Sequence, residues 1–181
     1  KAITTGEGGA VTTNNRRSYE TMIALRSHGV QKDRDGFNVM RDLGYNYRLT
    51  DIQAALGLSQ LGKLDSFLAA RRRIVEWYQK ELSSIAEIQL PIELPSVHSG
   101  WHLYVIHVKD KRHQLPLANH LCASDIGVNF HYPAVYSHPY YRKLGYRDSL
   151  KNADVHHATC ITLPLFFGLS RKHVALVARI I

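Results

Sequence analysis

Cysteine is scarce in this sequence: among 181 residues only Cys122 and Cys160 occur, 38 positions apart. That count excludes a disulfide framework and a four-cysteine zinc site, and it leaves two reduced thiols of a cytoplasmic protein as the expectation. No apolar run approaches the ~20 residues needed to cross a bilayer, so no membrane-spanning segment is expected. A charged-then-apolar leader is also missing. Lys1 stands where an initiating Met is usual, which is read here as processing or as a piece of a longer protein. There is no internal repeat and no low-complexity stretch. Several nucleotide and metal motifs fail as well. Gly6-Glu7-Gly8-Gly9 is not followed by Gly-Lys-Ser/Thr, and a strand rather than a helix is expected after it, so it is neither a Walker loop nor a dinucleotide fingerprint. The eleven histidines contain no His-Glu-x-x-His. On a strand His102 and His107 would face opposite ways, and His156-His157 reads as a helix end. No metal site is expected.

What remains is ordinary globular composition, 45% hydrophobic and 21% charged. A chain of this length can bury about 70% of its unfolded surface without staples. The net charge is +8, and it divides into +4 for residues 1–83 and +4 for residues 84–181. An excess spread so evenly is weak evidence for a nucleic-acid footprint and is equally compatible with small phosphate-bearing ligands.

Along the chain, residues 4–15 read as a turn, a short β-branched strand and another turn. Residues 16–27 carry apolar side chains at helical spacing, with Gly29 as a stop. Residues 30–44 read as a polar loop. Thr50-Asp51-Ile52-Gln53 is a capping box, and the apolar spacing after it runs from Ile52 to Leu82. A helix over that whole span would be about 50 Å long, with Gly57 and Gly62 each costing about 1 kcal/mol and a bend near residues 62–70 allowed. Beyond Pro91, Pro95 and Gly100, strands are expected at Trp101–Val108, Ile126–His131 and Thr159–Leu163. Helices are expected at Leu115–Ser124, Leu150–His157 and Ser170–Ile181. The reading is α/β: a front portion of residues 1–83 ending in a long helix, then a compact lobe of residues 84–181, a small sheet with helices on one side.

Three clusters stand out. Arg71-Arg72-Arg73 sweeps about 200° of helix surface and reads as mostly solvated. Tyr45-Asn46-Tyr47-Arg48 directly precedes the capped helix, where backbone N–H groups, Asn and Arg suit an anion, although taken alone a tyrosine-rich packing turn is the more ordinary explanation. The stretch from Asn129 to Tyr141 holds four tyrosines and two histidines in a Pro-punctuated loop, as a binding rim would.

Four segments, in order, resemble one family. Lys1-Ala2-Ile3-Thr4-Thr5-Gly6-Glu7-Gly8-Gly9-Ala10-Val11 is similar to the segment around the cofactor lysine of the DegT/DnrJ/EryC1/StrS sugar aminotransferases. Leu43-Gly44-Tyr45-Asn46-Tyr47-Arg48-Leu49-Thr50-Asp51-Ile52-Gln53-Ala54-Ala55 resembles their second signature. His131-Tyr132-Pro133-Ala134-Val135-Tyr136-Ser137-His138-Pro139-Tyr140-Tyr141 and Leu163-Pro164-Leu165-Phe166-Phe167-Gly168-Leu169-Ser170 resemble two further, supporting ones. The resemblance spans this chain but only the second half of a family member. It implies a partial fold type I transferase: the end of the large domain with a long linking helix in residues 1–83, and the small C-terminal α/β domain in residues 84–181.

The same resemblance implies pyridoxal 5'-phosphate as cofactor and a nucleotide-sugar as substrate. The nearest branch aminates UDP-linked 4-keto-6-deoxy-N-acetylhexosamines in pseudaminic acid biosynthesis, with glutamate as donor and a homodimer that shares its sites. Lys1 then corresponds to the lysine that holds the cofactor; relatives that dehydrate sugars carry histidine there. Asn46 matches a residue that reaches the partner's cofactor phosphate, and Arg48 supports that region or the substrate. His131 and Tyr132 match a loop beside the nucleotide-sugar. The family's pyridine-pairing acid, ring-stacking aromatic and first phosphate-binding turn precede the lysine, so these 181 residues alone are expected to be inactive. The competing class is a non-catalytic α/β binding or dimerisation module. A lysine directly before Ala-Ile-Thr-Thr-Gly-Glu-Gly-Gly argues against it.

Overall fold

The computed structural model describes all 181 residues. Contacts divide them into two units: Lys1 with Ile3–Leu64, and Ala2 with Asp65–Ile181. This boundary falls earlier than residue 83, because the helical run after the capping box is not continuous. Helix α2 covers Asp51–Leu61 and α3 covers Leu64–Leu82. They are separated at Gly62-Lys63, within the stretch where a bend was allowed and at one of the two glycines that tax a continuous helix.

In the first unit, residues 1–15 form turns without the short strand expected there. Helix α1, Arg16–Arg26, starts where the Asn15 side chain accepts from the backbone N–H of Ser18, the usual relief for an orphan donor at a helix start. The stretch expected as a plain loop contains a short hairpin, β1 Val30–Lys32 paired with β2 Asn38–Met40. It was illegible because each strand has three residues and Asp33 supplies the turn, accepting from the N–H groups of Asp35 and Phe37.

The second unit is a three-stranded antiparallel sheet in the order β3-β4-β5, with β3 at Ile88–Gln89, β4 at Tyr104–Val108 and β5 at Cys160–Leu163. Helix α4 covers Gln114–Ala123, α5 Pro139–Lys143, α6 Lys151–Thr159 and α7 Arg171–Ile180. The expected strand at residues 126–131 shrinks to a single bridge, Asn129 with Thr162. The register pairs Tyr104 with Leu163 and Ile106 with Ile161. Period-two geometry therefore puts Tyr104, Ile106, Val108, Ile161 and Leu163 on one face. That face is the core, packed with Ile74, Tyr78 and Leu82 of α3, Leu121 of α4, and Val174 and Val177 of α7. The opposite face presents His107 and Thr162, and here His156 of α6 meets the His107 ring edge-to-face at 4.9 Å. Helices thus lie against both faces, not one.

The arginine run also departs from a solvated face. Arg71 is 8% exposed. Its Nη1 lies 3.1 Å from each of the carbonyl oxygens of Trp101, His102 and Leu165. Nη1 carries two hydrogens, so at least one of them is shared between two carbonyls, and the buried Nε–H is left without a partner. The contacts secure Trp101 at φ +43°, a left-handed conformation that a bulky residue rarely adopts. Burial lowers the Arg71 pKa. Arg72 bonds Glu93, His98 and the carbonyl of Ser99, and of the three only Arg73 is exposed. No helix is long and apolar enough to cross a membrane.

Candidate active site

In the first unit, two sequence segments 46 residues apart meet through Gln53. Its backbone N–H is taken by the Thr50 hydroxyl, while its side chain returns to the Thr50 N–H, completing the capping box. The same side chain has a second duty: its Nε2 donates to the carbonyl of Glu7 at 3.0 Å. The Glu7 carbonyl also accepts from the Thr5 hydroxyl, and the Thr4 hydroxyl accepts from the N–H of Gly6. Gly6 at φ +80° lets the chain turn there. A Cβ on Gly8 would come within 3.2 Å of Leu49. The segment that follows Lys1 is therefore seated on the start of α2.

Tyr45, Asn46 and Tyr47 lie along the end of α1. The Tyr45 N–H donates to Leu25, the Tyr47 N–H donates to Arg26, and Asn46 bridges Ser27. The approach depends on two glycines. A Cβ on Gly44 would stand 2.1 Å from the Gly29 nitrogen, and one on Gly29 would stand 1.8 Å from the Asp42 carbonyl oxygen. The backbone of Asn46 is thereby fixed while its side chain, like those of Lys1 and Arg48, is exposed. No hydrogen bond or ion pair joins Lys1, Asn46 and Arg48 to one another; they are an amine, an amide and a guanidinium free to serve something else. That donor set fits a phosphorylated aldehyde, with an amine to bond the carbonyl and N–H donors for the phosphate.

In the second unit His131 and Tyr132 are neighbours whose rings meet edge-to-face at 4.6 Å. The His131 Nδ1 lies 2.8 Å from the Thr162 hydroxyl, and the Tyr132 side chain projects into solvent. The His131 carbonyl accepts from the Nε2–H of His156 at 2.7 Å. Farther along the loop, the Tyr136 hydroxyl donates to Asp154, whose carboxyl also accepts from the Ser149 hydroxyl at 2.6 Å. Those two donors hold the Asp154 pKa below the usual carboxylate value and favour its charged form.

His107 sits deeper. The Thr159 hydroxyl donates to the Val155 carbonyl, so its one hydrogen is spent and it accepts from the His107 Nδ1–H at 2.8 Å. Burial, and then the neighbouring His156, lower the His107 pKa. Thr162, His156 and His107 were not singled out as site residues by the sequence. The available signal was the alternation along β5, which places Thr162 opposite the apolar Ile161 and Leu163.

The profile of the DegT/DnrJ/EryC1/StrS aminotransferase family matches residues 1–181. The chain is 36% identical over 179 residues to the UDP-4-amino-4,6-dideoxy-N-acetyl-beta-L-altrosamine transaminase of Campylobacter jejuni, covering 98% of this chain and 48% of that protein. Its fold matches PseC of Helicobacter pylori, an aminotransferase involved in the biosynthesis of pseudoaminic acid, with a TM-score of 0.94 and 31% identity, covering 99% of this chain and 49% of that one. It also matches the PLP-form of a Streptococcus pneumoniae protein described as a sugar aminotransferase, with a TM-score of 0.82 and 25% identity over 94% of this chain and 44% of that one. The chain spans about half the length of the relatives it matches.

Proposed function

The chain belongs to the DegT/DnrJ/EryC1/StrS aminotransferase family, and from that premise we propose that the whole protein is a pyridoxal-phosphate-dependent nucleotide-sugar aminotransferase. The proposed reaction moves an amino group from glutamate to the 4-keto carbon of a UDP-linked 6-deoxy-N-acetylhexosamine. The observation that carries this reading is the seat of the first segment: Gln53 binds the Glu7 carbonyl and so fixes the turn just beyond Lys1 against a capped helix start.

Pyridoxal phosphate, when bound, supplies the electron sink that labilises the donor's Cα–H bond and lets the acceptor's former keto carbon take up a proton. Lys1 would hold it through the ε-nitrogen and would take and return a proton at that atom. Lysine can do so because its amine becomes neutral when desolvated or placed near other cations; arginine cannot. The Asn46 amide donates to the cofactor phosphate of the second protomer in a homodimer, and Arg48 supports the same anionic region. The His131 Nε2, which has no partner within the chain, and the exposed Tyr132 ring meet the nucleotide-sugar.

In the whole protein residues 1–83 carry the end of the large domain followed by α3 as the linking helix, whose apolar face packs into the core of the second unit, and residues 84–181 complete the small domain. The two free cysteines and the absence of a spanning helix accord with a cytoplasmic biosynthetic enzyme. The 181 residues alone are proposed to be inactive, since the family's pyridine-pairing acid is not among them. In the full-length protein, added cofactor is expected to give imine absorbance, and borohydride should trap it on the ε-nitrogen of Lys1. Lys1→Ala is expected to abolish both the absorbance and the amination of a UDP-4-keto sugar. Amination that survives Lys1→Ala would overturn the assignment.

A further inference from the structure

We infer that His156 is a positioning residue for the nucleotide-sugar, acting through the main-chain oxygen of His131. This rests on the reading of His131 and Tyr132 as substrate contacts. The geometry is directional. A carbonyl oxygen can only accept, so the 2.7 Å contact requires the hydrogen to be on the His156 Nε2. The His131 ring is held separately by the Thr162 hydroxyl at 2.8 Å, and Thr162 is itself tied to Asn129 through backbone bonds in both directions. Main chain and ring of His131 are therefore pinned by different residues, which leaves its Nε2 without a partner in the chain and the next side chain, Tyr132, exposed.

The anchor behind His156 is equally specific. Its ring packs edge-to-face on His107. His107 cannot rotate freely, because its Nδ1–H is committed to the Thr159 hydroxyl and that hydroxyl to Val155. Thr159 and His156 share α6, so the helix carries both its own brace and the donor that reaches the loop. The same helix grips the loop a second time, at Tyr136 through Asp154. Two grips five residues apart define the course of residues 131–136. Burial and the neighbouring imidazole favour the neutral form of His107, which removes charge repulsion from the ring stack.

The test compares three forms of the full-length protein: wild type, His156→Phe and His156→Gln. Phenylalanine keeps a ring against His107 and removes the donor. Glutamine keeps an N–H donor at comparable reach. His156→Phe is expected to raise the KM for the UDP-4-keto sugar by about three- to tenfold, the worth of one net hydrogen bond. It should leave the KM for the amino donor, the cofactor imine absorbance and the melting temperature close to wild type. His156→Gln is expected to restore the nucleotide-sugar KM to within about twofold. An independent readout is amide hydrogen exchange over residues 129–137, which should quicken in His156→Phe and recover in His156→Gln.

Unchanged loop exchange in His156→Phe overturns the positioning role, as does a Phe variant with wild-type KM or a Gln variant no better than Phe. If wild type itself proves inert toward the sugar, the activity reading fails, and the exchange data still decide whether His156 positions the loop.

Discussion

The two compact units use the same kinds of residue to different ends. Residues 65–181 enclose a core: Tyr78, Tyr104, Ile106, Leu121 and Val174 are fully buried, and α3, α4 and α7 all contribute to it. In residues 3–64 the only buried residue is Gly29. Neither α1 nor α2 buries a side chain, while Ile52 is 85% exposed and Leu58 73%. What organises the first unit is backbone accounting: the Asn15 cap, the capping box at Thr50, the hairpin, and the close pass of Gly44 over Gly29. Helices of 11 residues with no buried face are marginal in water, so caps alone give shape without much stability. A hydrophobic pattern marks surface that is meant to be covered, but it does not say within which 60 residues the cover lies.

The sharpest way to break this contrast is a matched pair of truncations in the 181-residue chain. Ile106→Ala empties a site in the centre of β4 and is expected to cost about 2–5 kcal/mol of unfolding free energy. Leu58→Ala, on exposed α2, is expected to stay within about 0.5 kcal/mol. Urea denaturation followed by tryptophan fluorescence suits the first measurement, because both tryptophans, Trp77 and Trp101, belong to the second unit. Circular dichroism is needed for the second. Equal costs would show that the first unit is as well packed as the other.

Legibility in the sequence follows the same divide. Capping boxes and long apolar periodicities are local, and α1, α2, α4, α6, α7, β4 and β5 all lie within a few residues of where spacing placed them. The hairpin at residues 30–40 was missed because its strands are too short for any period to show. The strand at residues 126–131 was over-read: its alternation is real, but β5 is met by Asn129 alone. Arg71 departs from a solvated face because helical spacing carries no information about the three carbonyls that converge on that position. For the site, the residues that could touch a ligand were legible through motif resemblance. Those that brace them, Thr162, His156 and His107, come from another helix and other strands, and no local signal announces such a meeting.

A smaller effect separates the units by pH. The His107 pKa is lowered in the folded chain, first by burial and then by His156. A base whose folded value lies below its ordinary one, about 6.5, is protonated more readily unfolded than folded. Its contribution to stability is therefore complete above about pH 6.5, and it is lost as the pH falls from there toward the depressed folded value. Tryptophan-detected urea midpoints should decline over that interval, and His107→Gln should flatten the decline. A midpoint that falls equally in the variant would assign the slope to other groups.

The smallest expected effect comes from a motif that both units contain. Tyr45 and Tyr47 stack at 4.8 Å with planes 8° apart, in the open. Tyr78 and Tyr104 stack at the same 4.8 Å with planes 17° apart, inside the core. The Tyr78 hydroxyl donates to the Pro164 carbonyl at 3.0 Å, whereas the Tyr104 hydroxyl is buried and has no partner. Burial raises the pKa of both phenols, so neither ionises near neutrality. An unpaired buried hydroxyl carries a desolvation penalty that the ring itself does not. Tyr104→Phe is therefore expected to be neutral or to stabilise by up to about 1 kcal/mol, whereas Tyr78→Phe should destabilise by about 0.5–1.5 kcal/mol through the orphaned Pro164 carbonyl. Tyr47→Phe, where water already serves the hydroxyl, should stay within about 0.5 kcal/mol. If Tyr104→Phe instead costs as much as Tyr78→Phe, its hydroxyl has a partner in solution, and the core of the second unit is wetter than its packing indicates.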